Sequence, residues 1–319
     1  MANILIPMEI LINALIFVVS VLALAKGSSV FVDSAVKIAR WFNIPTLVIG
    51  LTVVAFGTSA PEFGVTLLAA VQGMGDISVG NIIGSNIFNL GFILGGTALF
   101  RHLNTDRKIV FRDGTFLLGG TVLLTLLIWD LSITRIGGAV LFGLLIIYIV
   151  FLLFQKDKKT AGEVPEKKEK IGWKDMGLFV LGLAMIVGGA HFLVESSTSI
   201  ARIIGLSDFV IAVTVVAFGT SAPELATSIA ASVKGHHGIS AGNLIGSDIF
   251  NIFGVLGLTA IMNDLTVEAG ARSNLLVLIG MVLLVIIFMR HKWKITRWEG
   301  AILIMIGLVR WYFTFFPGG

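Results

Sequence analysis

Ten apolar stretches fall at roughly 8–26, 42–71, 77–100, 109–129, 136–154, 173–194, 208–233, 239–262, 274–290 and 298–316. Each is long enough to cross about 30 Å of hydrocarbon. In lipid every backbone N–H and C=O must be satisfied within the chain, so only helices and closed barrels span a membrane. A barrel would read as short alternating segments with polar lumen positions, whereas these runs are long and continuous. The residue balance agrees, with 56% hydrophobic and 13% charged residues. A soluble domain carries about 45–50% apolar and about 25% charged residues. The expected fold class is therefore an all-α integral membrane protein with ten transmembrane helices, and a soluble enzyme is excluded.

Lys and Arg set the orientation. With the amino terminus outside and ten spans, 19 of the 23 Lys and Arg residues fall on the inner side, and only Arg135, Arg202, Arg272 and Arg310 fall outside. That bias follows the positive-inside rule. It predicts a multi-pass protein of the cell (plasma) membrane with both termini extracellular. The net charge of +4 is then a matter of inner loops facing the bilayer surface, and no nucleic-acid partner is expected. No Lys or Arg precedes Lys26, so the first run lacks the basic flank of a signal peptide and reads as a retained span. The absence of cysteine removes disulfides, thiolate metal sites and thiol nucleophiles. With no phosphate-cradling loop, an ATP-driven pump is not expected either.

Self-similarity divides the chain. Thr52-Val-Val-Ala-Phe-Gly-Thr-Ser-Ala-Pro-Glu62 recurs letter for letter as Thr214 to Glu224, and 24 of the 39 positions from 52 to 90 are identical at an offset of 162. The expected organisation is a first five-helix repeat over 1–154, a Lys- and Glu-rich cytoplasmic linker over 155–172, and a second five-helix repeat over 173–319. Five is odd, so the second half enters the membrane the opposite way up. Such inverted repeats are built by secondary transporters around a site near the midplane.

The repeated motif carries the chemistry. Glu62 and Glu224 fall about halfway along their spans, and a carboxylate at membrane depth marks a functional site by default. No Lys or Arg lies within either motif, so a cationic ligand is the economical partner. Pro61 and Pro223 have no N–H, which leaves the carbonyls of Gly57 and Gly219 without their helical donors. Thr58, Ser59, Thr220 and Ser221 add hydroxyls, and Asn81, Ser85 and Asn89 recur as Asn243, Ser247 and Asn251. All of these ligands are hard oxygen. They suit Ca²⁺, which takes about 6–8 oxygens, and Na⁺ for the same reason; zinc, copper and iron are disfavoured. Two glutamates balance one Ca²⁺, two Na⁺ or two protons. A site that must be neutralised before the halves can move will exchange these ions rather than leak them.

At these residues the chain resembles the cation/Ca²⁺ antiporter superfamily, and within it the prokaryotic Na⁺/Ca²⁺ exchangers. The match lies in Gly57-Thr-Ser-Ala-Pro-Glu62 with Gly84-Ser-Asn-Ile-Phe-Asn89, and in Gly219-Thr-Ser-Ala-Pro-Glu224 with Gly246-Ser-Asp-Ile-Phe-Asn251. The resemblance implies antiport of Na⁺ against Ca²⁺ by alternating access, usually three for one and therefore electrogenic. It implies no enzymatic activity and no cofactor besides the transported ions. No obligatory protein partner is expected. Carried over, Glu62 and Glu224 would be shared Ca²⁺ and Na⁺ ligands, and Thr58 and Thr220 would offer carbonyls to Ca²⁺. Ala55, Ser59 and Ser85 would line one flanking Na⁺ site, with Ala217, Ser221 and Ser247 its counterpart. Asn89 and Asn251 would sit at the centre, and the first and sixth spans would slide over a core of the other eight. Some relatives carry Asp at the position of Asn251, linked to K⁺ dependence; Asn in both halves argues against it here. Asp248, where the first half has Asn86, is either a solvated or hydrogen-bonded residue at the cavity edge or an added cation ligand.

Other polar residues read as peripheral. Asp33 and Glu195 are repeat-equivalent and are expected at membrane ends, solvated. His191 reads as a packed or headgroup residue, and His102 and His291 as interfacial. Three other functions remain: a Ca²⁺/H⁺ antiporter using the same two glutamates, a passive channel and a non-transporting scaffold.

Overall fold

The computed structural model describes residues 2–42, 44–154, 171–205, 217–268 and 270–315. The protein is helical nearly throughout. Helix α1 is Ala2–Phe42, followed by α2, Thr46–Thr58, and α3, Ala60–Val71, which meet at a 49° bend. Then come α4, Gly75–Phe100, α5, Ile109–Leu127, α6, Arg135–Phe154, and α7, Trp173–Ile203. After α8, Ala217–Thr220, and α9, Ala222–Val233, the chain runs through α10, His237–Met262, α11, Gly270–Arg290, and α12, Arg297–Phe315. Among the described residues seven helices are long and apolar enough to cross a membrane, or eight if α2 and α3 count as one bent span. The run expected at 208–233 lies partly outside the described residues, as does most of the linker.

Two helices outrun their hydropathy. The first apolar run was expected to end near residue 26 in a loop, yet α1 continues as helix to Phe42 and stops shortly before Pro45. The residue preceding a proline is pushed out of the helical region, so the terminator lies well beyond the last lipid-compatible residue. Helix α7 likewise runs past 194 to Ile203 and ends against Gly205 at φ +87°, a left-handed stop that glycine adopts without penalty.

These long helices pack on each other more extensively than any other pair. Gly27 and Gly182 make that approach possible: a Cβ on Gly27 would sit 2.7 Å from Cβ of Met185, and one on Gly182 would sit 2.8 Å from the backbone nitrogen of Phe31. Small residues at such crossings are how membrane helices gain close backbone contact. Leu24, Phe31, Val32, Ala35 and Val36 of α1 and Ile186, Ala190 and Leu193 of α7 share an apolar cluster with Ile49 and Val54 of α2, Ala222 and Ala231 of α9 and Ile239 of α10. A separate, larger cluster is built from α4, α5, α6, α10 and α11.

Short strand pairs tie off both ends. Leu103–Asn104 pairs antiparallel with Lys294–Ile295, and Ser132–Ile133 with Leu265–Thr266. At the first end Arg101 donates to the carbonyls of Ser232 and Val233, and Lys37 pairs with Asp175 at 2.9 Å. At the other, Asp76 accepts from the backbone of Glu268, and Arg272 donates to the carbonyl of Trp129.

Candidate cation site

The two proline-containing motifs break their helices at the same place. Ser59 and Ser221 leave helical geometry, with φ/ψ of −80°/8° and −90°/5°. Each break frees backbone oxygens and starts a new helix, α3 or α9, whose first turn carries Glu62 or Glu224. A carboxylate in the first turn of a helix is favoured by the partial positive charge there. Wide π turns follow in the partner helices at Asn89–Ile93 and Phe250–Leu256, so Asn89 and Asn251 each lie where the helical ladder loosens. Such bulges gather at functional sites.

The serines cross between the sequence halves. Ser221 donates to Oε1 of Glu62 at 3.2 Å, and Ser59 to Oε1 of Glu224 at 3.3 Å. Ser247 also donates to Oε1 of Glu224 at 3.3 Å. Thr58 donates to Oδ1 of Asn243 at 3.1 Å and lies 3.3 Å from Oγ of Ser247. Each glutamate is therefore steered by the opposite half. Thr220 is buried beside Ser221, Ala55 is fully buried, and Ser85 is buried on α4 one turn before Asn89; no hydrogen bond ties Ser85 to Glu62. Ala217 opens α8, and its side chain lies outside the described residues.

Below the glutamates an amide network crosses in the same way. Asn89 donates to Oδ1 of Asp248 at 3.0 Å, Asn86 to the Asp248 carbonyl at 3.2 Å, and Asn251 to Oδ1 of Asn86 at 3.0 Å. Asp248 is fully buried and accepts from Asn89, so the reading of a solvated edge residue is corrected. The reason is its position on α10, a helix enclosed on nearly every side.

A support layer stands behind the glutamates. Asn81 donates to Oγ1 of Thr66 at 3.0 Å and to the Glu62 carbonyl at 3.4 Å. At the same offset Asn243 donates to Oγ of Ser228 at 3.0 Å and to the Glu224 carbonyl at 3.4 Å. Thr66 and Ser228 were missed from sequence. The signal was available: both keep the offset of 162 and lie one turn beyond the glutamates.

The bond count reveals what the site lacks. Oε2 of Glu62, Oε2 of Glu224, Oδ2 of Asp248, Oδ1 of Asn89 and Oδ1 of Asn251 are all buried with no donor. Buried polar atoms are normally satisfied, and a buried charge without a partner is costly. Asp113, another fully buried acid, shows the ordinary solution: Arg112 grips it at 2.6 and 3.0 Å and Tyr148 donates at 2.8 Å. No Lys or Arg among the described residues pairs with Glu62, Glu224 or Asp248. Nor do three of His, Cys, Asp and Glu gather among the described residues as a metal centre would need. Five acceptor oxygens without a donor, three on carboxylates and two on amides, complement a hard cation.

Of the peripheral residues, Asp33 is exposed but paired with Lys234 at 2.6 Å. His191 is exposed, not packed, 3.9 Å from Glu195. His291 pairs with Glu299 at 2.8 Å near the basic loop.

Known proteins carry the same pattern over nearly the whole chain. A family model described as "Sodium/calcium exchanger protein" matches residues 12–154 and 174–316. The sodium/calcium exchanger MaX1 of Methanosarcina acetivorans is 35% identical, covering 93% of this chain and 96% of its own length. The inner membrane protein YrbG of Escherichia coli is 32% identical over 94% of this chain and 96% of its own. The solved structure of the sodium-calcium exchanger NCX_Mj, soaked with zero Na⁺ and Ca²⁺, superposes with a TM-score of 0.83 at 32% identity, covering 94% of this chain and 98% of that one. Paired helix breaks, crossed glutamates and full-length similarity converge: the chain belongs to the sodium/calcium exchanger protein family, within the prokaryotic cation/Ca²⁺ antiporters.

Proposed function

We propose that this protein is a secondary antiporter, not an enzyme, that exchanges Na⁺ for Ca²⁺ across the cell membrane. The observation that carries the reading is the crossed pair Ser59–Glu224 and Ser221–Glu62, beside buried oxygens that lack any donor. Glu62 and Glu224 bind the ion by charge. The carbonyls freed at the Ser59 and Ser221 breaks, with Thr58 and Thr220, complete an oxygen cage for Ca²⁺. Ala55, Ser59 and Ser85, and their counterparts Ala217, Ser221 and Ser247, line flanking Na⁺ positions. Asn89, Asn251 and Asp248 form the floor.

Exchange follows from charge. Empty, the site leaves Glu62, Glu224 and Asp248 buried without a counter-charge, and moving them past apolar helix faces is prohibitive. One Ca²⁺ or several Na⁺ removes that barrier, so the conformational step needs cargo in both directions. The architecture that serves this is ten spans in two inverted repeats, 1–154 and 173–319, joined by the cytoplasmic linker 155–172, with both termini outside. Helices α1 and α7, which pack on each other more extensively than any other pair, slide as a unit over the remaining core. The family resemblance supports more Na⁺ than charge balance with one Ca²⁺ requires, hence net charge movement, and Asn at both 89 and 251 supports the absence of a K⁺ requirement.

Purified protein in sealed vesicles tests this. Ca²⁺ uptake is expected under an outward Na⁺ gradient, unchanged by K⁺, and altered when an ionophore clamps the voltage. Uptake driven only by a pH gradient would assign the same glutamates to Ca²⁺/H⁺ antiport instead. Flux without any counter-ion requirement would indicate a channel.

A further inference from the structure

At the basic end a lysine ties the long helix α1 to the end of α9. Lys234, just past the end of α9, reaches α1 twice: Nζ lies 2.6 Å from Oδ2 of Asp33 and donates to the Ser29 carbonyl at 2.7 Å. Lys234 is 25% exposed and Asp33 57%, so the contact is reachable by water and can open and close. The neighbouring pair Lys37–Asp175 joins α1 to α7 and therefore stays within the long-helix unit. The Lys234 contact instead runs from α1 to the end of the helix that carries Glu224, where it adds charge to the apolar packing of Ala222 and Ala231.

The offset of 162 maps these residues onto positions at the opposite end, and there the cation is gone. Gln72 stands for Lys234, Glu195 for Asp33 and His191 for Ser29. The α1–α7 pair Lys37–Asp175 is replaced in the same way by Asn13 and Ser199, which share a neutral hydrogen bond of 3.1 Å. Glu195 keeps its carboxylate but lies exposed beside His191. Two charged joints at one end thus correspond to two pairs of positions at the other where at least one partner has lost its charge.

We propose that Lys234 and Asp33 form an electrostatic latch between α1 and the core at the basic end, biasing the transporter toward the state closed at that end. These are positioning residues: they touch no ion and act through the α1–α7 unit. The inference rests on the sliding of that unit in the proposed antiport. It gives the two states unequal populations although the site between them is built almost symmetrically. The ratio of two states changes exponentially with the free-energy difference placed on one of them, and a half-exposed ion pair shifts the ratio about twofold to fivefold.

The chain has no cysteine, so labels can be placed without background. Spin labels at Trp41→Cys and His102→Cys, both exposed, report the distance between the end of α1 and the core. In low-salt, Na⁺-free buffer with saturating Ca²⁺, which lets the two states interchange, Lys234→Gln and Asp33→Asn should each raise the minor distance population about twofold to fivefold. The swap Asp33→Lys with Lys234→Asp should return it toward the parent. Gln72→Lys, which places a cation opposite Glu195, should shift the populations in the same direction as Lys234→Gln. Unchanged distributions in both single variants would overturn the latch, and so would failure of the swap to restore the parent ratio. Na⁺/Ca²⁺ exchange by the parent in vesicles separates the two ideas: its absence refutes the proposed antiport, while its presence with unmoved distances refutes only the latch. Asp33→Asn, at the more exposed partner, keeps the test open should Lys234→Gln fold poorly.

Discussion

Oγ of Ser59 lies 3.3 Å from Oε1 of Glu224, a residue 165 positions further along the chain. The hydroxyl on one helix break thus orients the acid on the other. Ser221 and Glu62 repeat the arrangement at 3.2 Å, so each half supplies a hydroxyl to the carboxylate of the other.

Removing one acid should be decisive. At 4 Å and an effective dielectric of about 20, two unit charges attract by about 4 kcal/mol, and Ca²⁺ loses one such partner in Glu62→Gln or Glu224→Gln. Ca²⁺ affinity should fall about a thousandfold in each variant, read by calorimetry or by tracer uptake. Thermal unfolding should hold or rise, because an unpaired buried carboxylate has been replaced by a neutral group of the same shape. A variant that transports normally would refute the site, and one that unfolds would make the glutamate structural.

The serines should matter less and in a graded way. Ser59→Ala and Ser221→Ala each remove one hydrogen bond to a carboxylate, a loss of about 1.5–3 kcal/mol for a charged acceptor. Half-saturating Na⁺ should rise about tenfold or more in each, measured from the Na⁺ dependence of Ca²⁺ release from loaded vesicles. If only the Ca²⁺ dependence moves, the serines orient the acids without lining a Na⁺ position.

Much of the site was legible because repetition marks it. The identical motifs put Glu62 and Glu224 forward, and the prolines after Gly57 and Gly219 foretold the breaks at Ser59 and Ser221. What a linear reading cannot supply is which half each hydroxyl serves: proximity in sequence suggests Ser59 with Glu62, whereas the antiparallel meeting of the breaks gives Ser59 to Glu224. Asp248 was ambiguous for the same reason, since its partners Asn86 and Asn89 come from the other half. The length of α1 was hidden by its charges. Lys26, Asp33, Lys37 and Arg40 end the apolar run, but hydropathy measures hydrocarbon thickness and not where a helix stops.

The support layer predicts a stability effect. Asn243 holds Ser228, the Glu224 carbonyl and Thr58 at once, and all of these groups are buried. Asn243→Ala leaves several buried polar atoms unpartnered at about 1–3 kcal/mol each. Asn81→Ala breaks the corresponding pair to Thr66 and the Glu62 carbonyl, and Asn81 is only partly buried. Thermal unfolding in detergent should therefore rank parent above Asn81→Ala above Asn243→Ala. Equal midpoints for the two variants would mean that the bond from Thr58 across the halves adds nothing to stability.

Glycine at the crossing of the long helices makes the last prediction. A Cβ on Gly182 would lie 2.8 Å from the backbone nitrogen and 3.0 Å from Cα of Phe31. Both are main-chain atoms that cannot swing aside, so Gly182→Ala must force α7 away from α1. Overpacking of this kind costs about 1–3 kcal/mol, and it falls on the smaller cluster to which these two helices belong while leaving the larger one intact. Exchange should therefore drop at least tenfold while the protein stays monodisperse and retains most of its thermal stability. Gly64→Ala is the control, since a Cβ there meets nothing within 4 Å; it should transport at the parent rate. Equal loss in both variants would point to a general intolerance of the helices to substitution, and normal transport by Gly182→Ala would show that α1 and α7 need not pack this closely to move together.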